Sequence, residues 1–507
     1  MPTNLTRRTL LGAAGAGAIT TIGAEAWAGH GRRGRPGDDR TRLRWARDTW
    51  TSLVAMTHPK TGLVATNIDG DLRRRSGYTS PTNIGGLLWS TIVARDLRII
   101  NPGEARNRIA RTLRTLQRME RHDASGMYFN WYDEATGEVL RVWPEDGNTV
   151  VPFVSSVDMG WLGAALHLVA QADPSNRKAA RRLFDAMRWD MFYDREFRAP
   201  AGANYGGFWL EDPERPQQDY ALLPPTIGVG PGVYYHVGHH YDTAISEARM
   251  VTYLGIIRRQ IPPIAYFGTF RTFPPDWDWQ EMPPVGDWTE YLDFPVFQGA
   301  YTYRGFRVVP GWGGSMFEEL MPDIFVPEAR WGPKSWGRNH PAHVRAQREH
   351  GLDDARYGYW GFSPSSNPAG GYREYGVDAL GLNPDGYFSD QENTNYRWDD
   401  PPTEYGDGVV TPHAPFLAMM YEPDEATQNL RNLQADFDSY GRGGFYDAVA
   451  VRSGQVARRH LSLDQSMVLG ALGNVLRDGG LRRWFATREV ERRLRPVLAL
   501  EEFNLEG

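Results

Sequence analysis

The chain contains no cysteine among its 507 residues. That excludes a disulfide framework, a thiolate metal site and a thiol nucleophile, and it fits a protein that folds before export and needs no disulfides outside. The body lacks any run of about 20 apolar residues, so no membrane-spanning helix is expected. There is no excess of positive charge: 56 Lys and Arg stand against 62 Asp and Glu, a formal net charge of −6. Nucleic acid is therefore not an expected partner. No Gly-x-Ser-x-Gly elbow, phosphate-cradling glycine loop or dinucleotide fingerprint occurs, which removes the common hydrolase, nucleotide and Rossmann readings. Oligomeric state is not legible.

What is present begins at the N-terminus. Thr6-Arg7-Arg8-Thr9-Leu10-Leu11 precedes a mild Ala/Gly-rich run, and Ala26-Trp27-Ala28 closes it as a small-x-small cleavage pattern. This reads as a twin-arginine export signal over residues 1–28, giving a periplasmic or extracellular protein. Residues 29–41 read as a disordered linker and 42–507 as one catalytic domain. Within the domain, Asn101-Pro102-Gly103-Glu104 supplies a cap, a first-turn proline and an N3 acid. Ile109, Leu113 and Leu116 then share one helical face. Further helices are expected over 82–97, 158–171, 175–188, 244–259, 412–420, 424–436 and 463–476. Paired helices joined by long loops predict an all-α ring of helical hairpins. Between 260 and 410 the chain is rich in Gly, Pro, Trp and Tyr with few long periodic runs, and long loops of this kind are usually functional.

Acids recur where helices begin: Asp158, Glu247, Glu318 and Asp464. Singly, each has a structural explanation, since an acid in a first turn complements the helix dipole. Together they resemble a convergent carboxylate mouth, and glycoside cleavage needs two carboxyl groups flanking the scissile bond, one protonated and one ionised. His236, His239, His240 and Asp242 form a polar knot that suits a sugar cleft or a metal. Asp385, Asp390 and Glu392 offer oxygen ligands for a structural calcium, although their spacing matches no standard loop. Trp331 and Trp336 fit either core anchors or sugar platforms. No other cofactor is implied.

The motif order resembles the glucoamylase-like domain family of cyclic β-1,2-glucan synthases and of the endo-β-1,2-glucanases in glycoside hydrolase family 144. The resemblance rests on Tyr78–Gly85, Phe129–Asp133, Ser246-Glu247-Ala248, Trp312–Glu318, Tyr359–Ser363, Asp407–Pro412, Gly444–Ala448 and Leu463-Asp464-Gln465, and it covers nearly all of 42–490. It implies an (α/α)6 toroid acting on a glucan or oligosaccharide, with inversion. It further implies Glu247 as general acid and Asp158 as base or water-positioning group. The substrate-binding side chains expected with them are Trp131, His239, Arg249, Trp312, Glu318, Trp360, Arg373, Glu374, Asp407, Asp447 and Asp464. A phosphorylase or transglycosylase on the same fold, a lyase, and a non-catalytic glycan-binding protein are the alternatives; the acidic candidates argue against a lyase. Two segments depart from the family: Asp464-Gln465-Ser466 replaces Asp-Gln-Gly, and the loop Ser363–Pro368 is unfamiliar. Both bear on substrate rather than fold.

Overall fold

The computed structural model describes residues 36–211, 226–227, 233–384 and 404–506. The segment read as an export signal, most of the expected linker and the three acids considered for calcium lie outside them. Residues 34–507 form one compact unit, helix-rich at 42% helical. Among the described residues no helix is long and apolar enough to cross a membrane.

Among the described residues fourteen α-helices order the fold. They are α1 (Pro36–Met56), α2 (Pro81–Asp96), α3 (Pro102–Leu116), α4 (Ser156–Ala172), α5 (Arg177–Asp185), α6 (Arg249–Ile257) and α7 (Met316–Leu320). Then follow α8 (Glu328–Trp331), α9 (Trp336–Glu349), α10 (His413–Ala418), α11 (Pro423–Asp436), α12 (Ser462–Leu476), α13 (Gly480–Phe485) and α14 (Arg488–Leu498). Helix α2 packs on α4 and α12, α4 on α6, and α10 on α7 and α12. The ring closes between α6 and α7 through Arg249, whose Nη1 donates to the Glu318 carbonyl (2.6 Å). Outside this inner ring of six, α3 backs α2, α5 backs α4, α14 backs α6, α9 backs α7, α11 backs α10 and α1 backs α12. This is the (α/α)6 toroid.

Sequence chemistry explains the two layers. In α2 every residue from Pro81 to Ala94 is buried, and α4 and α12 are apolar nearly all round, as a helix walled in on every side must be. Outer helix α3 instead shows a single buried stripe of Ala105, Ile109, Thr112, Leu113 and Leu116 under an arginine-rich surface. Short antiparallel hairpins decorate the ends, among them Trp288–Tyr291 with Phe294–Phe297 and Tyr301–Tyr303 with Phe306–Val308.

Two expectations need correction. Helix α1 starts at Pro36, inside the segment read as linker to 41. Its charges are paired on α11 rather than solvated: Arg42 donates to Thr427 Oγ1 and the Pro423 carbonyl, and Arg431 pairs with Asp38 (2.6 Å). The region 260–410 holds a long helix, α9. Its buried face is polar (Asn339, His340, His343 and Gln347), so no hydrophobic period announces it. Each of three of those groups finds a partner instead: Asn339 on Val309, His340 on Glu319, Gln347 on Gly314 and Phe362.

Candidate active site

Every inner helix brings a polar side chain to its N-terminal end. Thr82 stands in the first turn of α2, Asp158 in that of α4, Glu318 in that of α7, His413 opens α10 and Asp464 lies in the first turn of α12. Glu247 occupies the turn just before α6, which begins at Arg249 rather than at 244. The N-terminal ends of α4, α6 and α7 meet, since the charges of Asp158 and Glu318 act on Glu247, and helix N-termini suit carboxylates and the oxygen atoms of a ligand.

Glu247 is the centre of the arrangement. Its Oε2 accepts from Trp161 Nε1 at 2.5 Å. Burial, and then the charges of Asp158, Glu318 and Glu374, push its pKa up to about 8. Asp158 sits one helical turn before Trp161 on the same face of α4, the i, i+3 spacing that places side chains together. It accepts from Thr82 Oγ1 (2.7 Å) and Thr82 N (3.3 Å) across the α2–α4 contact. Asn130 Nδ2 also donates to Asp158 Oδ2 (2.6 Å), while the Asn130 Oδ1 accepts from Trp131 Nε1 (3.1 Å). Burial raises Asp158 against these donors.

Glu318 closes the group from α7. Ser315 caps that helix by accepting from Glu318 N, and Glu318 Oε2 accepts in return from Ser315 Oγ (3.1 Å) and Gly313 N (3.2 Å). Burial pushes this carboxyl up to about 7. Asp158, Glu247 and Glu318 all keep some accessible surface. Groups enclosed by protein yet still wetted are the lining of a cleft. Tyr372 shows the same combination more strongly: it is 54% exposed, yet burial, followed by the charges of Asp464, Glu374, Asp447 and Glu247, raises it well above the ordinary tyrosine range. It thus faces both Glu247 and a second acidic pair.

That pair is Asp447 and Asp464. Burial and the neighbouring Asp464 hold Asp447 well above the carboxylate range, while burial brings Asp464 up to about 7. The two carboxyls lie close enough for each to shift the other's titration, as two like acids sharing one site do. Asp447 Oδ2 also accepts from Ser366 N (2.7 Å). His413 Nδ1 lies 3.2 Å from Asp464 Oδ2 and 2.9 Å from Thr411 Oγ1. Because the Thr411 hydroxyl donates to the Asp447 carbonyl, Nδ1 is the nitrogen that carries the proton. Burial keeps this histidine neutral, with a pKa down at about 4.

Several expected ligand-binding residues take other roles. Arg249 spends all its donors inside the protein: on Glu328 twice (2.8 and 2.9 Å) and on the carbonyls of Ser246, Glu318 and Glu319. It cannot bind sugar; it fastens the Glu247 turn to the Glu318 helix. Trp360 is 2% exposed and belongs to the core, as do Trp331 and Trp336. Asp407 accepts from Ser453 N (2.7 Å) and Ser453 Oγ (2.6 Å) and so caps a hairpin turn. His236 stacks on Tyr205 and His240 meets Asp194 at 2.9 Å, so the histidine knot does not converge on one point. His239 stands behind Gly206, whose carbonyl accepts from Ser156 at the start of α4. Among the described residues a different trio, Asp323, Glu328 and His340, has ligand atoms within 4.8 Å of one another. Arg249 and Arg482 already neutralise its carboxylates. Although burial would lower it, Glu319 and Glu328 hold His340 up at about 9. The donor set suits an ion-pair network, not a cation.

Trp131, Trp312, Arg373 and Glu374 remain at least partly exposed. Trp161, Asn130, Tyr372 and His413 were not singled out from sequence. For Trp161 the signal was its i, i+3 spacing from Asp158 and for Asn130 its place in the Phe129–Asp133 motif. Of the two departures, Ser466 packs its Oγ on the Ser462 carbonyl (2.6 Å) and faces Gly86 of α2, so it concerns helix packing. The Ser363–Pro368 loop does reach the site, through Ser366 and through Ser363 Oγ, which accepts from Phe317 N (3.2 Å).

Comparison with known proteins agrees with this arrangement. Residues 287–489 match the sequence model of the Glycoamylase family, described as "Putative glucoamylase", and residues 44–195 match a family described as protein of unknown function, DUF3131. Over 263 residues, 48% of the chain, it is 28% identical to the cyclic β-(1,2)-glucan synthase NdvB of Rhizobium meliloti, and the match spans 7% of that protein's length. The endo-β-1,2-glucanase of Chitinophaga pinensis, solved with sophorotriose and glucose, superposes with a TM-score of 0.64 at 14% identity, covering 90% of this chain and 98% of that one. The β-1,2-glucanase of Parabacteroides distasonis gives 0.66 at 15% identity over 91% and 60% of the two chains. An endo-β-1,2-glucanase mutant of Talaromyces funiculosus in complex with β-1,2-glucan gives 0.63 at 14%, over 92% and 93%. At these identities the likeness establishes the fold.

Proposed function

We propose that this chain, which carries a glucoamylase-like domain on an (α/α)6 ring, is an exported glycoside hydrolase that cleaves β-1,2-linked glucan. One observation carries the reading. Glu247 is held against the Trp161 indole in a cleft, with its pKa pushed up to about 8 beside other carboxyl groups. Such a group is protonated at neutral pH and can donate to a glycosidic oxygen as the C1–O bond breaks. Asp158 is the partner: donors from Thr82, Asn130, Ser155 and Ser80 favour its ionised form, and it takes the proton of the water that attacks C1 from the opposite face. Inversion follows from a single displacement of this kind. The glucanase neighbours and the NdvB similarity support a β-1,2-linked substrate, and the Arg7-Arg8 segment supports export. The NdvB similarity also favours a second reading, transglycosylation, in which a sugar hydroxyl replaces the water at C1.

The test is incubation of purified residues 29–507 with a panel of α- and β-glucans, arabinans, galactans and fructans, beside Glu247→Gln. New reducing ends from β-1,2-glucan are expected, with the variant slower by roughly two to four orders of magnitude. Longer or cyclic products without net reducing ends would establish transfer. Wild-type rates in the variant would remove Glu247 from the acid role.

A further inference from the structure

Beyond the acid-lined cleft, the molecule exposes tryptophans where a soluble surface has little reason to. Trp277 is 46% and Trp279 43% exposed, on the loop Asp276-Trp277-Asp278-Trp279. Both rings rest on buried Phe273, at 5.2 and 6.0 Å between centroids, and Trp277 stacks on it at an interplanar angle of 21°. Trp279 in turn lies 5.8 Å from Trp312. The residue after Trp312 is Gly313, whose N–H donates to Glu318 Oε2. The four rings therefore form one chain of contacts, Trp312 to Trp279 to Phe273 to Trp277, joined to the segment whose Gly313 N–H holds the cleft carboxyl.

The loop is built to hold its rings still. Buried Gln280 donates through Nε2 to the carbonyls of Phe273, Pro274 and Trp277 (3.1 to 3.4 Å). Glu281 N donates to Leu382 O, and Leu382 N donates to the carbonyls of Gly311 and Trp312. The platform and the Trp312 segment thus share one backbone network. Rigid aromatic faces lose little entropy on binding, and exposed apolar surface contiguous with a polar cleft marks a ligand site.

We propose that Trp277 and Trp279 form an outer platform that holds further pyranose rings of the glucan chain, remote from the bond being cut. The flat indoles take the C–H faces of the sugars. Asp276 and Asp278, which alternate with them and are exposed, accept from the hydroxyls at the ring edges. That alternation, together with continuity into the cleft, selects a polymeric carbohydrate over an apolar partner. The platform makes the enzyme favour long chains over short ones. This inference rests on the glucan-cleaving reading above.

The experiment compares Trp277→Ala, Trp279→Ala and the corresponding Phe variants with the wild type, using linear β-1,2-glucan and its trisaccharide as substrates. Expected is a fall of about tenfold per Ala variant in kcat/KM on the polymer, carried by KM. The trisaccharide should show no comparable fall, and the Phe variants should recover most of the loss. Thermal melts of each variant separate local from global damage; if an Ala variant does not fold, the Phe variant of the same position and its partner's Ala variant carry the comparison. Equal losses on both substrates, or none on either, overturn the platform. A wild type that cleaves neither substrate overturns instead the glucan-cleaving reading on which it rests.

Discussion

At the scale of the residue, the decisive side chain is Glu247, and its behaviour comes from its surroundings. An exposed glutamate would be ionised at neutral pH; burial and three neighbouring carboxyls keep this one protonated to about pH 8. A general acid works only while protonated, so the proposed hydrolysis should fall as pH rises through about 8. Measured as kcat/KM against pH, the alkaline limb should vanish in Glu247→Gln along with most of the rate. An alkaline limb that persisted unchanged in the variant would place the acid elsewhere. The sequence offered Glu247 because an acid interrupts an apolar run there. The resemblance offered Arg249, two residues later, as a substrate-binding side chain, but the structure spends its guanidinium on Glu328 and three carbonyls. Local pattern flags a polar group in an apolar setting; it does not reveal whether the partner is a ligand or the protein.

At the scale of the element, the site depends on how closely α2 and α4 approach. Thr82 on α2 holds Asp158 on α4 at 2.7 Å, and the crossing that permits this has a glycine in it. A Cβ at Gly85 would lie 2.9 Å from the Trp161 carbonyl oxygen, a backbone atom that cannot step aside. Gly85→Ala gains helix propensity of somewhat under 1 kcal/mol but overpacks the crossing at a cost of about 1–3 kcal/mol. The expected result is a net loss of stability in chemical denaturation together with reduced glucan hydrolysis. A more stable and fully active variant would mean that the two helices part without consequence for Asp158. Most helices on this scale were legible from apolar spacing and caps. Three that were not expected differ in cause: α9 buries the polar Asn339, His340, His343 and Gln347, about which hydrophobic period is silent, whereas α1 (Trp45, Ala46, Trp50, Leu53, Met56) and α14 (Val490, Leu494, Val497, Leu498) carry apolar stripes that the sequence does hold.

At the scale of the whole molecule, pH should tune stability through the same buried groups. Glu247, Glu318 and Asp464 have folded pKa values raised to about 8, 7 and 7. The stability they confer is full below their unfolded values and is lost as pH rises through the folded ones. His340, raised to about 9, likewise loses its contribution on the alkaline side. In the other direction, His413 and His460 are held neutral with pKa values down at about 4. Their contribution is present above the unfolded value and is lost as pH falls. Glu328, held down at about 2 by Arg249 despite its burial, also loses stability on acidification. Above the unfolded histidine value of about 6.5, every one of these groups that still titrates lowers stability, so the melting temperature should decline from there toward pH 9, less steeply in Glu247→Gln. A melting temperature still rising from pH 6 to pH 9 would show that these carboxyls are not buried as described.

What the sequence determined by itself was the set of helices with apolar stripes, the ring they imply, and the presence of acids at helix starts, because periodicity and capping are local properties. Only the tertiary structure decided which of those acids share a cleft, which pair titrates together, and which arginine is a fastener. Those facts depend on distances between residues far apart in the chain: Trp161 meets Glu247 from another helix, Ser366 meets Asp447, and Trp279 meets Trp312 across a loop. Burial sets the charge state of a carboxyl, and burial is a property of the assembled ring, not of any segment within it.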